Sequence, residues 1–483
     1  MRARTGWFAA VWIACSANGG SAVAPDAVDL PDVARDPAAS EGLEVSDAAG
    51  ESGADAASDR PQFSPETQEP LYQKGLILPP DSLPCVPRST GVPQMQCNHH
   101  ASAVAWLPDG SIAAVWYHGE YEKSLDSRVV WSRKPAGSTE WTWPEVLYDD
   151  PDHSDGNPTL WVHENGTLYV FLSVIVGEGW DDAQIRMLKS EDLGATWSAA
   201  VTLREAPCWN VRHRPVRLAN GDLLLPLYND CVTLPTFLRS HDDFATWESQ
   251  ADPPTPQYLL DHLSQEQPAL IVSAGGTVVA ITRDGSARNR IHRMESHDHG
   301  WTWTPSEPLD LPNSGTSVDQ ARLLDGHTVI VFNNDPDRRF PLSAALSLDD
   351  SRTVVAIRDL DAECPYEGCS FAYPSVAQDP TDGTIWVTYT YDRRTIGWVR
   401  FNEAWLAQGT EPSRVHCLWP EVCREGACFA PCKDASDCAG RDCHDGACRT
   451  RCNDESDCDG GRCGPSGLCV PAPPPDHVPV VCL

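Results

Sequence analysis

Six glycine-closed turns recur along the middle of the chain. They are Leu-Pro-Asp-Gly110, His-Glu-Asn-Gly166, Leu-Ala-Asn-Gly221, Ser-Ala-Gly-Gly276, Leu-Leu-Asp-Gly326 and Pro-Thr-Asp-Gly383. Successive glycines lie 56, 55, 55, 50 and 57 residues apart. Each leads into an apolar or alternating run, such as SIAAVWY after Gly110 and TLYVFLSV after Gly166. A turn that needs φ > 0 between two apolar runs is the strongest local signal for a β-hairpin. Strand-only repeats of this period predict propeller blades. Six repeats therefore predict an all-β, six-bladed β-propeller over residues 84–406, with its chemistry gathered in the axial cleft.

The flanks read differently. Residues 1–15 resemble an export signal: Arg2 and Arg4 precede a short apolar core. Ile13-Ala14-Cys15-Ser16 is similar to a lipobox, in which Cys15 would be lipidated; an ordinary secretory signal is the other reading. Either makes the protein exported, as a cell-surface or outer-membrane lipoprotein or as a secreted protein. Residues 16–80 are acidic, poor in aromatics and rich in Ala, Ser and Pro, which predicts a disordered linker. A formal charge of -33 argues against nucleic acid as a partner. Twelve of the 19 cysteines follow residue 416. With little apolar residue between them, residues 417–482 are expected to form a small disulfide-rich region. Six others fall into local pairs: Cys85 with Cys97, Cys208 with Cys231, and Cys364 with Cys369. Cys-x2-Cys spacing is absent, so neither a metal nor a cofactor is expected. The chain is expected to be a monomer.

A second motif runs in step with the turns. Ser190-Glu-Asp192-Leu-Gly194-Ala-Thr196-Trp197 and Ser296-His-Asp298-His-Gly300-Trp-Thr302-Trp303 are full copies. Ser240-His-Asp242-Asp-Phe-Ala-Thr246-Trp247 lacks the glycine, and the copy from Ser347 to Thr353 lacks glycine and tryptophan. Asp192, Asp242 and Asp298 are read as structural, each closing its own turn through backbone N–H groups.

These Asp boxes, in phase with six hairpins, identify residues 95–405 as similar to the bacterial sialidase-like (BNR-repeat) proteins. The resemblance implies an exo-glycosidase acting on terminal acidic sugars, with a carboxylate-gripping arginine triad, an Asp acid/base and a Tyr nucleophile polarised by a Glu. Planar guanidinium forks match a carboxylate bidentately, which is why arginine suits this task. By resemblance Asp126 takes the acid/base place and Tyr373 that of the nucleophile. Arg283 and Arg339 take the second and third triad positions. His100 stands where the first arginine belongs, a departure from the family. The activating Glu falls at Glu266-Gln267, with Gln267 in closest register and Glu266 one residue early; strand side chains alternate faces, so the difference matters. Glu122, in the loop of Asp126, is a further candidate for substrate binding.

Three more candidates come from the residues alone. Arg212 and Arg214, just after Cys208, lead into an inner strand and suit either an acidic sugar or a set of surface charges. Asn157 opens the second blade within reach of a sugar hydroxyl. The partners implied are acidic glycans or glycoconjugates. Two alternatives remain: a uronic-acid lyase in which His100 or Tyr373 removes the proton α to the carboxylate, and a non-catalytic glycan-binding surface protein.

Overall fold

Each of the six turn glycines adopts a left-handed φ, between 73° and 95°. Each closes its turn by donating its amide to a carbonyl three or four residues earlier, as Gly110 does to Leu107 and Gly383 to Asp379. The computed structural model describes residues 68–409, apart from 250–254, 287–288, 364–365 and 367, and six short strands between Val422 and Pro471. Every glycine turn joins the innermost strand of a blade to its second strand. The innermost strands are Asn98–Trp106, Ser154–Val162, Trp209–Val211 continued by Val216–Arg217, Gln265–Val272, Asp319–Arg322 and Phe371–Gln378. Each starts a separate antiparallel sheet, and the six sheets form a six-bladed propeller.

The second strands are continuous apolar runs because each is covered on both faces. Val115, Leu172, Leu225, Ile281, Val331 and Val387 are wholly buried, one from each blade. Burial of such a side chain contributes roughly 1.5–3 kcal/mol relative to exposure. Among the described residues helix is confined to short pieces at Trp180–Asp182, Pro256–His262 and Glu403–Leu406. No helix among the described residues is long and apolar enough to cross a membrane.

The ring closes with a strand from the N-terminal side. Tyr72–Leu76 pairs antiparallel with Thr395–Phe401 and becomes the outer strand of blade six. The expected linker over 16–80 is therefore corrected at its end. Tyr72 donates its hydroxyl to the Leu360 carbonyl and Lys74 pairs with Asp361 at 2.9 Å. These contacts stitch an otherwise polar segment to the sheet.

Each Asp-box carboxylate is spent on its own turn. Asp192 accepts the Thr196 amide at 2.8 Å and its hydroxyl at 2.6 Å. Asp242, Asp298 and Asp349 repeat this with Thr246, Thr302 and Thr353. Where the box lacks glycine, the left-handed position is filled by Phe244 (φ 74°) and Ser351 (φ 64°). Phe244 is held there by the rings of Trp161, Tyr169, Phe171 and Trp247. Box tryptophans pack across blades, Trp197 against Trp131 and Trp303 against Phe237.

Cys85–Cys97 and Cys208–Cys231 are disulfides. Cys369 is also disulfide-bonded. Its expected partner Cys364 lies outside the described residues, as do the signal and Cys15. The C-terminal strands form three hairpins that set Cys423 opposite Cys428, Cys443 opposite Cys448 and Cys463 opposite Cys469.

Candidate active site

The site begins with a defect repeated in the inner strands. Pairing slips between His100 and Ala103, Gly156 and Thr159, Glu266 and Ala269, and Ala372 and Ser375. Each bulge holds one residue at positive φ: Ala101 at 54°, Asn157 at 46°, Gln267 at 53° and Tyr373 at 53°. Such a bulge re-aims a side chain, at a strain of about 1–3 kcal/mol per left-handed residue. In three of them the next residue is proline (Pro158, Pro268, Pro374), which costs little where the ladder is already broken. The bulges bring Asn157, Gln267 and Tyr373 together around Tyr228. Asn157 Nδ2 donates to the Tyr228 hydroxyl at 3.2 Å, and Gln267 Nε2 reaches the hydroxyls of Tyr228 and Tyr373 at 3.4 and 3.3 Å.

Tyr373 is the centre of the cluster. Arg283 Nη1 donates to its hydroxyl at 3.1 Å. The Arg339 guanidinium lies 5.7 Å from its ring and the His100 ring 4.3 Å away. Glu266 lies 3.7 Å from Arg283. The bulge thus removes the choice between Glu266 and Gln267: Gln267 faces the tyrosine and Glu266 faces the arginine behind it. Burial raises the Glu266 carboxyl above its ordinary pKa, with Arg283 opposing. Burial, then Tyr373, holds Tyr228 firmly protonated.

His100 cannot replace the missing cation. Burial and the neighbouring Arg393, Arg339, Arg212 and Arg283 push its pKa well below the ordinary value. The ring is neutral at pH 7. Its Nδ1 lies 2.8 Å from Thr390 Oγ1, which also accepts the Ala101 amide. Thr390 is wholly buried.

Four residues of the cleft carry no motif that would single them out: Tyr117, Trp180, Tyr228 and Arg393. Arg393 sits at the tip of the hairpin between Ile385–Tyr391 and Thr395–Phe401, and pairs with Glu122 at 2.7 Å. Glu122 also accepts the Trp180 indole N–H at 3.0 Å. The Trp180 ring covers Gly156 so closely that a Cβ there would lie 2.4 Å from it. Tyr117 meets His100 edge-on at 5.6 Å. The one sequence signal for Arg393 is its place in a two-residue turn where Asn-Gly would be ordinary.

Three candidates do other work. Both Asp126 oxygens accept the Glu120 amide, at 3.1 and 3.2 Å, which braces the loop that carries Glu122. Arg212 is wholly buried and donates to the carbonyls of Ser102, Tyr373 and Pro374 and to Ser317 Oγ. Arg214 pairs with Asp319 at 3.0 Å and donates to the Gln320 carbonyl. Arg214 also lines a cavity of about 670 Å³ ringed by all six blades, with Trp106, Trp161, Leu270, Arg322 and Gln378. These residues lie at the glycine-turn ends of the inner strands, so that cavity is the opposite mouth of the axis from Tyr373.

The fold is shared with known proteins. Residues 110–387, more than half of the chain, match the model of the BNR repeat-like domain. No curated protein matches. A protein of unknown function from Dyadobacter fermentans shares the fold at 16% identity and TM-score 0.54, over 63% of this chain and 95% of that one. A Hadza microbial sialidase matches at 16% identity and TM-score 0.52, over 62% and 65% of the two chains. A leech intramolecular trans-sialidase matches at 14% identity and TM-score 0.52, over 64% and 68%. The chain belongs to the BNR repeat-like family, and its propeller is the one that sialidases use.

Proposed function

We propose that the protein is an exported, sialidase-like exo-glycosidase that hydrolyses terminal acidic sugars from glycans. The observation that carries this reading is a tyrosine hydroxyl set deep in the axial cleft and ringed by guanidinium groups. Arg283 and Arg339 receive the sugar carboxylate through charge-assisted bonds. Tyr373 attacks the anomeric carbon as its hydroxyl proton passes to Glu266, the carboxylate behind Arg283, and Arg283, already on the phenol oxygen, steadies the charge that develops there. A carboxyl of the 120–126 loop protonates the departing oxygen and then activates water to break the tyrosyl–sugar bond. Glu122 suits this task better than Asp126, because Glu122 faces the cleft beside Arg393 while Asp126 is occupied by the Glu120 amide.

The test is sugar release from a panel of sialosides and uronic-acid glycosides by the wild type and Tyr373→Phe. The expected result is release of a saturated acidic sugar, reduced by Tyr373→Phe about a thousandfold or more, as for loss of a catalytic nucleophile. An unsaturated product absorbing in the near ultraviolet would establish elimination instead. No turnover on any member of the panel would sink the hydrolase reading.

A further inference from the structure

We infer that Arg393 is the third carboxylate-gripping guanidinium of the cleft, supplied by blade six in place of the arginine that His100 displaces in blade one, and that Glu122 holds it until the acidic sugar takes over. The inference rests on the proposed reading of the cleft as an acidic-sugar site.

Three observations carry it. The first is backbone conformation. Asp392 and Arg393 are both left-handed, with φ of 52° and 56°, and the Arg394 amide closes the turn on the Tyr391 carbonyl at 3.0 Å. A turn of this kind favours Asn-Gly, so an arginine at its second position is an outlier of the sort that gathers at functional sites. The second is anchoring. The His99 amide donates to the Arg393 carbonyl at 2.8 Å, which draws the turn onto the inner strand of blade one beside His100. On its other side Arg394 pairs with Asp81. Arg393 is also the foremost charge acting on the His100 ring.

The third is an account of where the arginines spend their donors. Arg212 is wholly buried, with Nη2 on three backbone carbonyls, Nε on Ser317 Oγ and Nη1 without a hydrogen-bond partner, so solvent and ligand do not reach it. Arg283 serves Tyr373 and Glu266. Arg339 donates to the Gly315 carbonyl and has no carboxylate within ion-pair distance among the described residues. Arg393 Nη1 lies 2.7 Å from Glu122 Oε2, and Glu122 Oε1 accepts the Trp180 indole N–H. Its side chain and that of Glu122 are 34% and 33% exposed, so solvent and ligand can reach the pair. A planar fork in a partly exposed pair is open to a better-placed carboxylate. The exchange would also release Glu122 toward the bond being broken.

The distinguishing feature is a pair of effects with opposite sign. Binding of N-acetylneuraminic acid and of glucuronic acid would be measured by calorimetry at low salt, with the methyl ester of each as a neutral control. Arg393→Met should weaken binding of the bound acid about 10- to 100-fold, the weight of a charge-assisted bond. Glu122→Gln should tighten it about 2- to 5-fold, because it removes a half-exposed competitor. Binding of the ester should respond to neither. Arg393→Lys keeps the charge without the fork, should also weaken binding, and carries the test if Arg393→Met does not fold. Equal affinity of wild type and the Arg393 variants, or weaker binding by Glu122→Gln, would overturn the inference while leaving the acidic-sugar reading intact. Failure of the wild type to bind either acid would overturn that reading, and the inference with it.

Discussion

Arg212 separates a ligand arginine from a structural one, and the two roles differ in what its loss would cost. It rises from blade three and donates to Ser102 of blade one, to Ser317 at the entry to blade five, and to Tyr373 and Pro374 of blade six. Those bonds tie blades across the axis directly beneath the nucleophile. Arg212→Met keeps much of the volume and leaves three buried carbonyls without their donor. Each orphaned acceptor costs about 1–3 kcal/mol. Relief from burying an uncompensated cation offsets part of this, and breaking one side of a buried charged network nets about 3–5 kcal/mol. The roughly 330 residues from Tyr72 to Phe401 carry an unfolding entropy near 0.7 kcal/mol per degree, so a loss of about 4 kcal/mol lowers the melting temperature by about 6 °C. Calorimetric scans of wild type and variant at equal rates measure it, with acidic-sugar binding followed in parallel. A variant that melts within about one degree of wild type yet loses sugar binding would refute the strut and return Arg212 to the substrate.

Other perturbations address the scaffold. Replacing Cys208 and Cys231 by serine opens a loop of sequence separation 23 and should cost about 3.5 kcal/mol, read as a lower urea midpoint. Asp298→Ala removes the acceptor for the Thr302 amide and hydroxyl and should cost about 0.5–2 kcal/mol, with kcat unchanged because the box is far from Tyr373 in the blade. Burial, with Asp325 beside it, lifts the Glu403 carboxyl to about 9. The folded state then holds a proton that the unfolded state has released, so stability is greatest below the ordinary carboxylate range and declines as pH rises toward 9. Glu403→Gln should therefore raise the melting temperature at pH 8 and leave it nearly unchanged at pH 4; the opposite pattern would show Glu403 ionised in the folded protein.

Blade number was legible because one physical requirement, a left-handed residue between two buried strands, repeats at a fixed period and is met by glycine each time. The box turns show the limit of that legibility. Phe244 and Ser351 keep the same left-handed conformation without glycine, since packing of Phe244 and the Ser347 hydroxyl on the Ser351 amide replace local preference. The closing strand Tyr72–Leu76 was illegible for a related reason. Its neighbours in sequence are acidic and polar, and its reason to be a strand lies more than 300 residues away, in the pairing with Thr395–Phe401.

The cleft divides along the same line. Tyr373, Arg283 and Arg339 come from positions that the repeat period makes comparable with other propellers, and they converge. Gln267 and Glu266 were ambiguous only because strict alternation was assumed; the bulge at Gln267 lets neighbouring residues both reach the site. Arg393 lies outside any such correspondence. A position in blade one that has lost its cation is filled in space by a residue nearly 300 positions later, across the seam between blades six and one. At that seam the blade-six turn at Arg393 meets the inner strand of blade one through a backbone contact and not through a repeat. The charge of a propeller cleft is thus kept by geometry where sequence register has let it go. For the same reason His100 can be neutral, buried and tilted against the Tyr373 ring without leaving the cleft short of a guanidinium.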